Sequence, residues 1–142
     1  MKTIFFSDVH KDIDSLERLL KQEQGNFYCL GDSELSKETL DKYKIISVKG
    51  NCDISNIPNH LIITLDDKKV LLLHGHTVDV KYDLTKLYYL TQSLDCSIAI
   101  FGHTHIVLKI EEDISFYNPG SLRDGQTYIV YENNEFIFKK LR

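Results

Sequence analysis

Apolar residues fall in short unbroken runs over the first two thirds of the chain and in looser alternation after it. Lys2 to Phe6 carries Ile4, Phe5 and Phe6 in succession. A run without alternation predicts a strand buried on both faces, as in a parallel sheet. Asp12 to Glu23 then reads as an amphipathic helix, with Ile13, Leu16, Leu19 and Leu20 on one face and Asp12 or Asp14 as its cap. Gly25-Asn26 stops it. Phe27 to Leu30 predicts a second strand, Ser36 to Tyr43 a weaker helix capped by Ser36, and Ile45 to Val48 a third strand.

Leu61 to Leu65 and Val70 to Leu73, joined by the charged turn Asp66 to Lys69, predict a β-hairpin. A helix follows over Asp83 to Leu94, with Leu84, Leu87, Tyr88 and Leu94 at helical spacing, and Ile98 to Phe101 is another buried strand. Tyr82, Tyr88 and Tyr89 are expected as helix packing and rim, not as a base-stacking platform. Ile106–Ile110, Ile114–Tyr117, Thr127–Tyr131 and Phe136–Phe138 read as short strands of an antiparallel meander. The last two are joined by hairpin chemistry at Glu132-Asn133-Asn134-Glu135. Two packed sheets flanked by helices is the economical arrangement of such elements. A length of 142 residues predicts one domain over 1–142.

Composition narrows the function classes. Seventeen Lys and Arg stand against 21 Asp and Glu, a net charge of -4 with no basic stripe. That balance disfavours DNA or RNA as a partner; cations bound in a site would weaken the argument, because they can be the largest local charges. Cys29, Cys52 and Cys96 show no C-x-x-C spacing, which predicts reduced thiols in a cytoplasmic protein and no thiolate zinc site. Neither a membrane span nor a leader peptide is expected from the apolar runs.

The chemistry lies where the runs end. Asp8 and His10, Asp32, Asn51, His74 and His76, and His103 and His105 follow five strands in turn. Only His60 of the six histidines lies elsewhere. Taken singly these are ordinary residues: Asp8 a helix cap, His10 a loop residue, Asp32 and Asn51 turn residues after glycine. Taken together they form an oxygen and nitrogen donor set at the strand ends, where α/β sheets bind ligands. Such donors suit Mn, Fe, Co, Ni or Zn. Seven or eight donors are too many for one tetrahedral ion and suit two, with Asp32 bridging and water deprotonated near neutral pH between them.

In sequence order these blocks are Asp8-Val9-His10, Gly31-Asp32, Gly50-Asn51-Cys52-Asp53, His74-Gly75-His76, Gly102-His103-Thr104-His105 and Asn118-Pro119-Gly120-Ser121. They resemble the calcineurin-like metallophosphoesterases, and among these the small bacterial and archaeal phosphodiesterases. The resemblance implies a four-layer α/β/β/α sandwich of two mixed sheets. It implies that Asp8, His10 and His105 hold one divalent ion, that Asn51, His74 and His103 hold the other, and that Asp32 bridges. Manganese is the expected metal, with Fe, Ni, Co or Zn as alternatives. Asn51 would also touch a phosphate oxygen. Two departures stand out: Cys52 occupies a position where many relatives carry a proton-donating His, and Glu34 lies closer to Asp32 than the usual acidic residue. The leaving-group proton would then come from His76 or water, and good leaving groups would be preferred. Asn118 to Ser121 is expected as a structural turn, and Arg123 at the surface.

The resulting expectation is a cytoplasmic hydrolase of a small phosphate ester, a diester more than a monoester, with no membrane or nucleic-acid partner and with self-association open. The alternative is a non-catalytic interaction scaffold of the same fold, as in the phosphoesterase-like subunit of the retromer coat.

Overall fold

The computed structural model describes residues 2–142. In chain order its elements are β1 (Thr3–Phe6), α1 (Ile13–Gln22), β2 (Asn26–Cys29), α2 (Lys37–Lys42), β3 (Ile45–Ser47), β4 (His60–Leu65), β5 (Lys68–Leu73), a 3-10 turn (His76–Val78), α3 (Thr85–Ser93), β6 (Ile98–Ile100), β7 (Val107–Ile110), β8 (Ser115–Pro119), β9 (Thr127–Glu132) and β10 (Glu135–Lys140). One sheet has the order β10-β9-β1-β2-β3 and the other β4-β5-β6-β8-β7. Both are mixed. β1, β2 and β3 run parallel, as do β5, β6 and β8, and the outer pairings are antiparallel.

Strand periodicity sorts side chains into three apolar layers, which makes four layers of backbone. Ile4 and Phe6 point to the side covered by Leu16, Leu19 and Leu40 of the first two helices. Phe5, between them in sequence, faces the opposite way and meets Val70, Leu72, Ile98 and Ile100 between the sheets. Leu71 and Leu73 then face Leu87 of α3. Buried on both faces, β1 and β5 need apolar residues at consecutive positions, which is why neither alternates.

Helix ends follow the polar signals. The Asp12 carboxylate accepts from the Ser15 amide at 3.1 Å, and the Ser36 hydroxyl accepts from the Thr39 amide at 3.2 Å. The turns Asp66-Asp67 and Asn133-Asn134 hold both residues at positive φ, as tight two-residue hairpins require.

The meander is not formed. β7–β8 and β9–β10 are each antiparallel hairpins, but β8 pairs in parallel with β6 while β9 crosses to the other sheet and pairs with β1. The terminal hairpin thereby ties the end of the chain to its beginning. Tyr82 precedes α3 and is 88% exposed, which places it at the rim and not in the packed layer beneath that helix. No helix among the described residues is long and apolar enough to cross a membrane.

Candidate active site

Because β1, β2 and β3 share one direction in the first sheet, and β5, β6 and β8 share one in the second, the segments after them gather at one edge of the sandwich. Backbone bonds lock these segments together. The Asp8 amide donates to the Gly31 carbonyl at 3.0 Å, His10 to Asp32 at 2.9 Å, and Gly102 to His74 at 3.0 Å. Gly102 and Gly50 are required by close approach: a Cβ at Gly102 would lie 2.0 Å from Ser7 Oγ, and one at Gly50 would lie 2.1 Å from Asp32 Oδ1. Five of the seven candidate ligands, Asp8, His10, Asp32, His103 and His105, have left-handed backbone with φ between 47° and 71°. Such residues are uncommon outside glycine and concentrate at functional sites.

Asp8 is the hub. It is fully buried, and its Oδ1 lies 3.1 Å from His74 Nε2, 3.2 Å from His105 Nε2 and 3.6 Å from His10 Nε2. Its Oδ2 accepts from Ser7 Oγ at 2.6 Å and from the His103 amide at 3.0 Å. Burial works to raise the Asp8 carboxyl, but the hydrogen bond and charge of His74, then Ser7 and the His103 amide, outweigh it and hold the group below its ordinary value. Asp32 Oδ2 lies 3.3 Å from the same His74 nitrogen, and Asp32 Oδ1 accepts from the Cys52 amide at 2.8 Å.

The imidazoles are oriented from behind. His10 Nδ1 is 2.8 Å from Glu34 Oε2, and His105 Nδ1 is 2.7 Å from Asp124 Oδ2. A carboxylate there holds the proton on Nδ1 and leaves Nε2 with a lone pair. Both Nε2 lone pairs then face the negative Asp8 oxygen, an arrangement a cation relieves. His10 Nε2 is buried and has no hydrogen-bond partner. His74 Nδ1 lies 3.1 Å from His76 Nδ1, and its Nε2 faces the carboxylates of Asp8 and Asp32. Burial, then the neighbouring His74 and Lys81, push His103 down to about 4, so its ring is neutral near pH 7, the form in which imidazole binds metal.

Two donor groups emerge with ligand atoms within 4.8 Å of one another: Asp8, His10 and His105, and Asp32, His74 and His103. The residues fit divalent cations: the donors are imidazoles and carboxylates, and the buried His10 Nε2 has no hydrogen-bond partner. Cys52 is drawn into a third such group with His10 and Asp32, so sulfur is nearer the centre than the strand-end pattern implied. Burial and the charges of Asp32 and Glu34 raise its thiol. Asn51 stands beside the centre, exposed, and its amide meets Cys52 Sγ at 3.6 Å.

Four supporting residues have a role in the site that the sequence did not assign to them. Ser7 and Asp124 gave no signal beyond adjacency to Asp8 and Arg123. Glu34 was visible only as an imperfect match, and it supports His10. Asp53 is buried and accepts three backbone amides: Asp32 at 2.8 Å, Gly50 at 2.7 Å and Glu34 at 2.9 Å. Its place in Gly50-Asn51-Cys52-Asp53 was the available clue. The Asn118 to Ser121 turn does brace the site: Asn118 Nδ2 donates to the Gly102 carbonyl at 3.0 Å and Ser121 Oγ to the Asp8 carbonyl at 2.9 Å.

Comparison with known proteins agrees with this fold. The calcineurin-like phosphoesterase superfamily domain matches residues 1–135. A probable metallophosphoesterase of Bacillus subtilis, YsnB, is 32% identical over 131 residues, which is 87% of this chain and 76% of that protein. Among solved structures, a Streptococcus pneumoniae protein classed as a predicted phosphoesterase superposes with a TM-score of 0.80 at 28% identity, covering 96% of this chain and 86% of that one. Two more distant structures share the fold. Vps29 of Cryptosporidium parvum has a TM-score of 0.76 at 18% identity over 97% and 95% of the two chains. An archaeal phosphodiesterase has 0.76 at 20% identity over 98% and 99%. With the family domain matching nearly the whole chain and a relative 32% identical over most of both proteins, the chain belongs to the calcineurin-like phosphoesterase superfamily.

Proposed function

We propose that the chain is a hydrolase of phosphodiesters that uses two divalent cations. Asp8, His10 and His105 would hold one, His74, His103 and Asn51 the other, and Asp32 would bridge them. When bound, such ions lower the pKa of water toward neutrality and offset charge on the phosphate oxygens. The protein's own part is to fix the donors. Glu34 and Asp124 hold the tautomers of His10 and His105, and His76 lies against the His74 ring. The Asn51 amide, exposed at the mouth, is free to turn from Cys52 to a phosphate oxygen. The leaving oxygen takes its proton from His76 or from water, which favours good leaving groups. Manganese is the metal proposed, and the cytoplasm the compartment.

The observation that carries this reading is the set of three imidazole Nε2 atoms around Asp8 Oδ1, one of them buried and without a hydrogen bond. The test compares chelator-treated and manganese-reloaded protein on bis(p-nitrophenyl) phosphate and p-nitrophenyl phosphate. Hydrolysis restored by metal, faster on the diester and absent in Asp32→Ala and His74→Ala, supports the proposal. Equal rates with and without metal refute it.

A scaffold of the same fold is the second reading. It is favoured by a groove of about 490 Å³ between the edge strands β7 and β10, with Val107, Leu108 and Phe138 flanked by Lys109, Lys139 and Lys140, away from the donor set. The complete set of metal donors argues for catalysis instead.

A further inference from the structure

Beside the donor set, on the side of His76 and His103, lies a second cavity of about 560 Å³ that also involves Lys81, Tyr82, Asp83 and Lys86. Pockets of roughly 300–1,000 Å³ receive small organic molecules, whereas a bare phosphate needs far less. The loop that builds this one is fixed in place. Val80 is buried in the α3 layer, so that even a methyl group at Gly75 would lie 2.8 Å from its side chain. The Val80 amide donates to the Gly75 carbonyl at 3.4 Å and the Tyr82 amide to the Asp79 carbonyl at 2.9 Å.

With Val80 turned inward, the two residues after it are presented outward. Tyr82 leaves its ring 88% exposed. Lys81 has no ion pair or hydrogen bond among the described residues, while the other lysine of the pocket, Lys86, is paired with Asp79. Asp83 is engaged with the Thr85 amide at 3.0 Å. The wall thus offers one free cation, one open aromatic face and a polar rim. An aliphatic chain gains little from such a wall. A heteroaromatic ring gains stacking, worth on the order of ten-fold in affinity on an aromatic side chain.

Resting on the phosphoesterase reading, we infer that this cavity receives the organic substituent of the ester, that the substituent is a planar ring of nucleoside size laid on Tyr82, and that Lys81 attracts the phosphate beside it. The substrate class is therefore a small nucleotide-like phosphate ester, not a phospholipid or a sugar phosphate. Tyr82 and Lys81 act as specificity residues outside the donor set.

Calorimetric binding of thymidine 5′-phosphate and of methyl phosphate to manganese-loaded protein tests this without turnover. The nucleotide should bind on the order of ten-fold more tightly in wild type and in Tyr82→Phe. That advantage should vanish in Tyr82→Ala, where methyl phosphate affinity stays unchanged, and Lys81→Gln should weaken both ligands together. Equal affinities in wild type, or an advantage that survives Tyr82→Ala, overturns the inference alone. Methyl phosphate binding that ignores manganese overturns the phosphoesterase reading, and this inference with it.

Discussion

Asp53→Ala is the substitution by which the site's framework can be measured apart from its chemistry. The Asp53 carboxylate touches none of the proposed ligand side chains; it accepts backbone amides of Asp32, Gly50 and Glu34 at 2.7 to 2.9 Å. Hydrogen bonds to a charged group contribute roughly 1.5–3 kcal/mol each. Asp53 is 7% exposed, so water can enter the vacated space and satisfy part of the loss. The expected destabilisation is therefore about 3–5 kcal/mol, below the plain sum of three such bonds. Asp53→Asn turns an NH2 toward at least one of these amides and should lose about half as much. Urea unfolding of metal-free protein is the assay, since bound metal would add its own linkage. An unchanged m-value with a lower midpoint locates the effect in the folded state. If Asp53→Ala unfolds within about 1 kcal/mol of wild type, the amides do not depend on this carboxylate and the argument is wrong.

Three further outcomes follow from the structure. Glu23 is buried, and although burial raises its carboxyl, the Tyr128 hydroxyl at 2.6 Å and then Lys2 and Lys139 hold it below its ordinary value of 4.5. Its contribution is thus present above 4.5 and lost as pH falls through the lower folded value. Glu23→Gln should reduce stability at pH 7 by about 1–3 kcal/mol and flatten the acid limb of a stability–pH curve, and an unaltered acid limb would contradict this. Gly102→Ala forces a methyl group against Ser7 Oγ, so thermal unfolding should show a loss of about 1–3 kcal/mol together with weaker metal binding. Asp124→Ala frees the His105 ring without touching the core, and should lower metal affinity about ten-fold while the midpoint of metal-free unfolding stays put.

Much of this molecule is legible in its sequence because the information is local. Consecutive apolar residues in β1 and β5 can only belong to strands covered on both faces, and a donor at the end of each parallel strand can only face its neighbours' ends. The family blocks add order along the chain. What escaped is non-local. The β7–β8 and β9–β10 hairpins carry the same antiparallel pattern, and nothing in that pattern says that one joins β6 and the other β1. Glu34 and Asp124 sit 24 and 19 residues from the imidazoles they orient, and as residue types they are commonplace. The left-handed backbone at Asp8, His10, Asp32, His103 and His105 is imposed by the packed strand ends, and the tolerance of Asp and His for it is too general a signal to locate it in sequence. For Tyr82, expected as helix packing or rim, Val80 takes the inward position and leaves it outside.

Whether distant strand ends chelate cations together is tested most directly by counting bound metal. Equilibrium dialysis of chelator-treated protein against manganese, followed by elemental analysis, should find two ions per chain in wild type and at most one in Asp32→Ala, which lacks the bridging carboxylate. Wild-type protein that retains no manganese, or an Asp32→Ala variant that retains the full wild-type amount, would contradict it.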